Sequence, residues 1–371
     1  MPPQLTIKRY PMKQIVVCGA GIIGASVAYH LAKRGAQVVL LDAQHPAAGA
    51  TGKSFGWLNA TFSKRPRSYF DLSMMGIAGW HRLEQDLIGA LKIQWGGSVA
   101  WFPPGAEAEQ LRSDVLHHWQ WGYAVRLLDG AEVRELLPNV STGPIGVACH
   151  SEPEGAVTPI DAVSVLIDRA RQFGADLRDP CQVTGLDLSA GRVRAVQTRE
   201  GLIESDTVVL ASGVHSPRLA QLAGVNVPLK DAPGILVHLA PDRPLIDRIV
   251  QAPGVHFRQK LDGRIVVGGQ IVAGAGTAET PVADELEIFA QVSEFLPDLS
   301  GAIEQTTLGY RVMPADEYPI IGFAEACPNL YVTLTHSGVT LAPVIGELAA
   351  IEILDGIPQP QLAPYRLARF A

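Results

Sequence analysis

The sequence predicts an α/β fold in which a parallel-sheet domain is interrupted by a second domain that contains its own sheet. Residues 14–44 run from an apolar strand through a glycine-rich turn and a helix to a second apolar strand. The chain has 371 residues, which exceeds the usual size of one domain. Short strand and turn signals between residues 233 and 272 break the strand–helix alternation. These three observations favour two domains of different architecture.

The composition describes a globular protein, because 47% of the residues are hydrophobic and 18% are charged. The net charge of −7 comes without a Lys/Arg cluster, which argues against a nucleic-acid partner. Four scattered cysteines lack metal or disulfide spacing and suit a reducing compartment. We expect no signal peptide, because the first residues lack an apolar core region, and no transmembrane helix, because no uninterrupted apolar run is long enough. We therefore expect a cytoplasmic protein, or one peripheral to the inner membrane if it feeds a respiratory chain.

The first strand and helix form a βαβ unit with residues 37–42. Residues 14–18 are a continuous apolar run, typical of a parallel strand buried on both faces. Ile23, Val27 and Leu31 then recur at helical spacing. Parallel strands need such a crossover connection, and we expect the crossover to be right-handed.

The turn of this unit carries the spacing G-x-G-x-x-G. Gly19 permits the tight turn, Gly21 lets the backbone approach a pyrophosphate, and Gly24 lets the helix pack closely on the strand. Asp42 lies 23 positions after Gly19, where an acid accepts hydrogen bonds from an adenosine ribose. The negative charge of Asp42 would repel the extra phosphate of NADP, so this residue disfavours NADP as the cofactor. The unit therefore predicts dinucleotide binding, with NAD and FAD both left open.

Further elements follow along the chain. The periodicity predicts helices near residues 70–91, 106–121, 158–175, 282–296 and 339–356, and strands near 191–198, 206–213, 306–312 and 330–335. Thr158 is the expected N-cap of the third of these helices, with Pro159 in its first turn. His117 and His118 are adjacent in a helix and point about 100° apart, so we expect no metal site there.

The segment after the second strand, "HPAAGATGKSFGWLNATF" (45–62), separates the two nucleotide classes. A nicotinamide dehydrogenase normally continues with another βαβ unit at this point. This segment instead is extended and rich in small residues, so its backbone can lie flat along a cofactor. An ordinary surface loop is the alternative.

Several motifs in order resemble the D-amino-acid oxidase family of FAD enzymes, particularly its glycine oxidase-like and D-amino-acid dehydrogenase-like members. They are the glycine loop, "ATGKSFGWLNA", "EGAVTPIDAV", "VVLASGVHSPRLAQLAGV", "LGYRVMPADEYPIIG" and "LTHSGVTLAPVIGELAA". The resemblance covers nearly the whole chain. It implies a Rossmann-like FAD-binding domain (1–69, 150–224 and 308–371) interrupted by a sheet-containing substrate-binding domain (70–149 and 225–307).

The resemblance also assigns FAD contacts by position in these motifs. They are Ile22 and Ile23 at the pyrophosphate, Asp42 and Ala43 at the adenosine, Thr51, Ser54, Phe55, Gly56 and Trp57 along the flavin, Val183 at the adenine, Ser212 and Gly213 in the strand-end turn, and His336, Ser337, Gly338, Val339 and Thr340 at the flavin pyrimidine edge. The cysteine or histidine that attaches FAD covalently in some relatives is missing from the matching motifs. The FAD is therefore expected to be noncovalent.

The electron acceptor is expected to be oxygen, a quinone or a partner protein. Some oxidases of this family place a lysine over the flavin to speed oxygen reduction. The matching segment "VVGGQIVAGAGT" (266–277) has none, so a dye or quinone is expected to reoxidise the enzyme faster than oxygen.

Arg311 is the expected carboxylate-binding residue, because a guanidinium matches a carboxylate in geometry and charge and the residue lies in the family's late motif. An ion pair with Glu317 is the alternative. His256 is expected to face the substrate, unless a shift of the local alignment places Arg258 there. Arg311 and His256 are the two catalytic candidates.

Trp57 and Tyr310 are expected to wall the substrate pocket, with core packing as the alternative. The implied reaction is oxidation of the C–N bond of a D-amino acid, glycine or an N-substituted amino acid, by hydride transfer to flavin N5, giving an imine. The alternatives are an NAD-linked dehydrogenase and a flavin-bearing subunit of a larger dehydrogenase complex.

Overall fold

A computed structural model describes residues 13–61, 64–269 and 282–371. Its helices are α1 (Ile22–Lys33), α2 (Arg67–Asp86), α3 (Ala106–Gln120), α4 (Gly130–Leu136), α5 (Pro159–Gln172), α6 (Ser216–Gln221), α7 (Val282–Phe295) and α8 (Gly338–Asp355). Within these ranges no helix is both long and apolar enough to cross a lipid bilayer.

The strands belong to two large sheets and several small ones. They are β1 (Gln14–Cys18), β2 (Gln37–Leu41), β3 (Trp57–Leu58), β4 (Ile93–Gln94), β5 (Ser98–Phe102), β6 (Val125–Leu128), β7 (Val147–Ser151), β8 (Gly155–Val157), β9 (Asp176–Arg178), β10 (Val183–Ser189), β11 (Arg192–Thr198), β12 (Gly201–Glu204), β13 (Thr207–Leu210), β14 (Leu229–Lys230), β15 (Pro233–Leu239), β16 (Ile249–Gln251), β17 (Val255–Gln259), β18 (Ile265–Gly269), β19 (Ile303–Tyr310), β20 (Met313–Pro314), β21 (Ile320–Ala324) and β22 (Cys327–Leu334).

The first sheet has six strands in the order β21-β22-β13-β1-β2-β9, and all neighbours are parallel except β21 and β22. Val16 of β1 is paired with Val208 on one side and Val39 on the other. Ile15 and Val17 pack into the core cluster that contains α1 and α8, whereas Val16 and Cys18 pack into the opposite cluster. This burial on both faces explains the continuous apolar run and confirms the predicted α/β fold class.

Helix α1 packs on the sheet between α5 and α8. Ser26 donates a hydrogen bond of 2.6 Å to the carbonyl of Ala342 in α8. A Cβ at Gly346 would lie 2.4 Å from Ser26 Oγ, so the close approach of α1 and α8 requires a glycine there. The last helix is thereby fixed against the first, although more than 300 residues separate them in sequence.

The second large sheet has eight strands in the order β19-β15-β18-β17-β16-β5-β7-β6, mostly antiparallel. Its strands come from residues 98–151 and 233–310, so both parts of the expected substrate domain contribute to one sheet. Strands β7 and β19 cross the expected domain boundaries at 149/150 and 307/308. The exact division of the chain stays a prediction.

Two predicted element ends differ in detail from the structure. The helix expected over 70–91 spans Arg67–Asp86. Thr158 does occupy the N-cap of α5, but its side chain makes no capping hydrogen bond. Pro159 explains how the helix begins without that bond, because its ring fixes a helical φ and brings no N–H to be satisfied.

The three glycines of the loop meet different neighbours. A Cβ at Gly19, whose φ is +107°, would lie 2.5 Å from the Ala211 carbonyl oxygen, and a Cβ at Gly24 would lie 1.8 Å from the carbonyl oxygen of Gly19. A Cβ at Gly21 would meet only the Thr51 hydroxyl, at 3.1 Å. The fold itself therefore requires Gly19 and Gly24, whereas a methyl group at Gly21 requires only a small shift of the Thr51 side chain.

These distances predict that the two substitutions differ in their effect on the stability of the protein without bound cofactor. Gly24→Ala should lower the unfolding free energy by about 3 kcal/mol, because its methyl group overlaps a backbone oxygen. Gly21→Ala should change it by less than about 0.5 kcal/mol, as for an ordinary tolerated substitution. Thermal denaturation of both variants in the apo form tests this. Equal losses would contradict the assignment of different roles.

Candidate active site

A cavity of about 1720 Å³ lies at the carboxyl ends of the parallel strands. Cys18 at the end of β1, Leu41 at the end of β2 and Ala211 after β13 line one side of it, and residues of β15, β17 and β19 line the other. Carboxyl ends of parallel strands are the usual place for ligands in such folds. The cavity therefore lies at the edge where the glycine loop was expected to bind its ligand.

All the site residues named from the sequence line this cavity except Gly24, which lies beneath the loop. They are Gly19, Gly21, Ile22, Ile23, Asp42, Ala43, Thr51, Ser54, Phe55, Gly56, Trp57, Val183, Ser212, Gly213, His256, Tyr310, Arg311, His336, Ser337, Gly338, Val339 and Thr340. The structure thus brings together positions spread over more than 300 residues of sequence. The contact of each with FAD stays a prediction.

The amino terminus of α1 faces the cavity. Its N-cap is Gly21, which has no side chain, and its first turn has no acidic residue. Thr51 accepts a 3.0 Å hydrogen bond from the amide of Ile22. Asp42 accepts bonds from the amides of Ala20 (2.8 Å) and Gln44 (2.9 Å). Asp42 therefore also holds the glycine loop in place, which the sequence did not indicate.

The amino terminus of α8 faces the same cavity. Ser337 is its N-cap but makes no capping bond, and its first turn also lacks an acid. A Cβ built on Gly338 would lie 3.6 Å from Ile23, so the starts of the two helices are neighbours. Helix amino termini stabilise negative charge. Their convergence fits FAD, which has an anionic pyrophosphate and a flavin ring that gains negative charge on reduction.

Residues 55–61 form the wall between these helix ends and the second sheet. Thr340 accepts a hydrogen bond from the amide of Asn59 (3.2 Å) and donates one to the carbonyl of Trp57 (3.1 Å). Arg258 is 2% exposed and donates to the carbonyls of Phe55 (2.9 Å) and Val157 (3.1 Å). Both side chains thus fix the backbone of this segment.

Glu154 is the central acceptor of the wall, and the sequence reasoning did not identify it. The residue is completely buried, and its carboxylate accepts bonds from Trp57 Nε1 (2.8 Å), the Thr61 amide and hydroxyl (3.1 and 2.6 Å), the Ala60 amide (3.1 Å) and Ser98 Oγ (2.7 Å). Burial raises the pKa of Glu154, and these hydrogen bonds oppose the rise. The carboxylate therefore joins the cofactor-side segment to the second sheet.

His256, rather than Arg258, lines the cavity. Its ring contacts Phe55 edge-on, with 4.6 Å between the ring centres, and lies 6.1 Å from Trp57. Burial, together with the positive charge of Arg311, lowers the pKa of His256 to about 4. The imidazole is therefore neutral near pH 7, and its two nitrogens offer one donor and one acceptor.

Arg311 does not pair with Glu317, because Glu317 accepts a 2.6 Å bond from Lys230 instead. The Arg311 guanidinium donates to the backbone carbonyls of Ala232 (3.3 Å) and Pro233 (2.9 Å), which orient it. No carboxylate of the described residues forms an ion pair with it. Partial burial lowers the pKa of Arg311, but the group stays charged near neutral pH. It is available for an anionic ligand.

Tyr310 is 43% exposed, so it is a wall of the cavity and not a core residue. Lys64, another cation that lines the cavity, was not found from the sequence. Nothing in its neighbours, "TFSKRPRS", marks it as buried. Residues 270–277 of the segment in which a lysine was sought lie outside the described residues.

The Glu154 network predicts the effect of Glu154→Gln. The amide replaces one acceptor oxygen with a donor that faces other donors, which should cost about 2 kcal/mol of unfolding free energy. Because residues 57–61 are then held less firmly, affinity for FAD should fall at least about tenfold. Thermal denaturation and fluorescence titration with FAD measure the two effects. Glu152→Gln, at an exposed neighbouring acid, is the control and should change neither.

The comparisons with known proteins agree with this geometry. Glycine oxidase of Bacillus licheniformis is 28% identical over 94% of both chains. Sarcosine oxidase subunit beta of Rhizobium meliloti is 26% identical over 97% of this chain and 89% of its own. The crystal structure of glycine oxidase from Geobacillus kaustophilus superimposes with a TM-score of 0.89 at 22% identity, covering 96% of this chain and 99% of that one. The sequence model of the FAD dependent oxidoreductase family matches residues 14–351, and the chain belongs to this family.

Proposed function

We propose that this protein oxidises the C–N bond of a small amine that carries a carboxylate, such as a D-amino acid, glycine or an N-substituted amino acid. The observation that carries the proposal is Arg311, a guanidinium in the cavity that the helix ends of α1 and α8 share, with no carboxylate partner among the described residues. The similarity to glycine oxidases supports the same class of substrate.

In this proposal FAD is held by the glycine loop, by residues 51–57 and by the amino terminus of α8. When bound, it supplies the hydride acceptor at N5, and the substrate leaves as an imine. Arg311 binds the substrate carboxylate and so fixes which C–H bond faces the acceptor. Orientation of this kind supplies much of the rate in reactions that need no strong acid or base.

His256 is proposed to face the substrate nitrogen. A neutral imidazole does not repel an amine, and it offers one donor and one acceptor. Trp57 and Tyr310 bound the space left for the substrate. Because Trp57 is bonded to Glu154 at 2.8 Å, its indole is fixed in the wall and limits the size of the side chain that fits.

A second candidate is a flavin-bearing subunit of a larger enzyme, which the similarity to sarcosine oxidase subunit beta supports. Turnover of an amine by the isolated chain with a dye as acceptor would favour the first candidate. For either, we propose oxygen, a quinone or a partner protein as acceptor and a reducing compartment such as the cytoplasm. The four cysteines, all buried and free, support that location.

The missing attachment residues predict that FAD is bound without a covalent link. Acid precipitation should release all the flavin into the supernatant, and flavin that stays with the pellet would contradict this. Gly21→Val should give a folded protein that does not retain FAD, because its side chain occupies space that the fold leaves open for the cofactor. Absorbance of the purified variant at flavin wavelengths measures retention.

Arg311→Ala should lower kcat/KM on the best amino-acid substrate about a hundredfold, which corresponds to about 3 kcal/mol for a lost charge-assisted contact. FAD binding and thermal stability should be unchanged. Arg311→Lys should recover little, because an ammonium lacks the paired donors that match a carboxylate. Anaerobic bleaching of the flavin and steady-state dye reduction provide the measurements.

Amines without a carboxylate are the control for this experiment. They should be poor substrates of the natural enzyme, and the Arg311 variants should oxidise them at nearly the same rate. If Arg311→Ala keeps a near-normal kcat/KM on amino acids, Arg311 is a structural residue and the carboxylate binds elsewhere.

A further inference from the structure

Lys64 is a buried cation in the wall of the cavity, with 5% of its surface exposed. Its ammonium donates to Ser337 Oγ and lies 4.8 Å from the centre of the Tyr69 ring. In the described ranges no carboxylate forms an ion pair with it. The negative charge of Glu154 raises the pKa of Lys64, but that carboxylate already accepts bonds from Trp57 and other donors. Burial lowers the pKa of Lys64 to about 8, a cost that a neighbouring anion would offset.

The groups that surround the Lys64 ammonium are neutral hydroxyls. Ser337 Oγ accepts bonds from both Lys64 and the Tyr69 hydroxyl (2.8 Å). A hydroxyl can accept a hydrogen bond from an ammonium, but it cannot balance the positive charge. The hydroxyl of Thr335, which is 5% exposed, lies beside the Tyr69 hydroxyl. We call Lys64, Tyr69, Thr335 and Ser337 the Lys64 cluster.

The position of this cluster at the start of α8 adds to the excess of positive charge. Ser337 is the N-cap of α8, and no acid in the first turn balances the helix dipole. A cation at a helix amino terminus is unfavourable on its own. An anion beside the ammonium would balance this charge, either the flavin edge that this helix end is proposed to hold or a carboxylate of the substrate.

Arg311 and the Lys64 cluster lie near a common group, His336. Burial lowers the pKa of His336 to about 4, and the positive charges of Lys64 and Arg311 act in the same direction. All three residues line the same cavity, and Lys64 bonds Ser337, the residue that follows His336 in sequence. The two cations therefore face one shared space.

We propose that the Lys64 cluster binds a second carboxylate of the substrate, while Arg311 binds the first. The substrate is then an amine with two carboxylates, either an amino dicarboxylate or an N-carboxyalkyl amino acid. This inference rests on the proposed function, because it adds a second anionic group to the substrate of that reaction. Monocarboxylate amines leave the Lys64 cluster without an acceptor and are poorer substrates.

Binding of redox-inactive diacids to the FAD-loaded protein tests the inference directly. Succinate, glutarate and adipate differ in the distance between their carboxylates, and the monomethyl ester of each has one charge fewer at nearly the same shape. Perturbation of the flavin absorbance spectrum gives each dissociation constant. The best-fitting diacid should bind at least tenfold more tightly than its own ester. Equal affinity of all three pairs in the natural protein would overturn the proposal without any variant.

Lys64→Met should remove this preference and leave binding of the esters within threefold of the natural value. Lys64→Arg, which keeps the charge, should retain part of it. Lys230→Met is the matched control, because Lys230 is an exposed cavity lysine paired with Glu317, and it should keep the full preference. Equal weakening of diacid and ester in Lys64→Met, or loss of FAD from it, would assign Lys64 to the cofactor and overturn the proposal.

Turnover separates this inference from the proposed function. Iminodiacetate and sarcosine differ by one carboxylate, and glutamate of either hand and norvaline form a second pair. The dicarboxylate of at least one pair should bleach the flavin under nitrogen at least tenfold faster. If the monocarboxylates bleach it equally fast, the inference fails and the proposed function stands. If no amine with a carboxylate bleaches it, both fail.

Discussion

The buried carboxylate of Glu154 is the constraint on which the arrangement of the active site depends. Residues 57–61 run between two sheets, and their backbone and side-chain donors need partners because they are taken from water. Glu154 provides these partners through one charged group that also bonds Ser98 in the second sheet. A neutral side chain would leave donors facing donors. The wall of the cavity therefore depends on a buried carboxyl group as well as on the bonds of Thr340 and Arg258.

Two side chains, one from α8 and one from β17, connect that wall to the elements on either side of it. Thr340 of α8 bonds the backbone of Trp57 and Asn59, and Arg258 of β17 bonds the carbonyl of Phe55. Helix α8 is in turn fixed to α1 where Gly346 allows contact with Ser26. The two helix ends that face the cavity and the wall opposite them form one packed unit. A small shift in residues 55–61 would therefore also displace the amino termini of α1 and α8.

Local patterns were sufficient to predict the βαβ unit, because strand burial, helix periodicity and the glycine spacing all lie within 30 residues. The glycines show the limit of such reasoning. Gly19, Gly21 and Gly24 match one motif, yet only their three-dimensional neighbours separate the two that the fold requires from the one that leaves space. Asp42 likewise was predicted as a ribose acceptor, and its bonds to the loop amides became visible only in the structure.

Lys64 and Glu154 could not be identified from the sequence for a different reason. Their roles depend on contacts with residues 273 and up to 97 positions away, respectively, and neither belongs to a short motif with a known mechanism. A lysine in a polar stretch is usually exposed, and only tertiary packing buries this one. By contrast, Arg311 was predicted because a family motif marked it. Residues that act through long-range burial are those that local patterns miss.

The electrostatics of the cavity follow from which charges are fixed and which can change. Arg311 has no acid partner in the described chain, and the acid nearest in effect to Lys64 is already occupied by other donors. His256 and His336 respond to these cations by staying neutral, since burial and like charge both lower their pKa to about 4. The imidazoles therefore cannot add to the positive charge near neutral pH. Arg311 and Lys64 are the cavity cations proposed to recognise the substrate, and the distance between them sets which molecules can bind both.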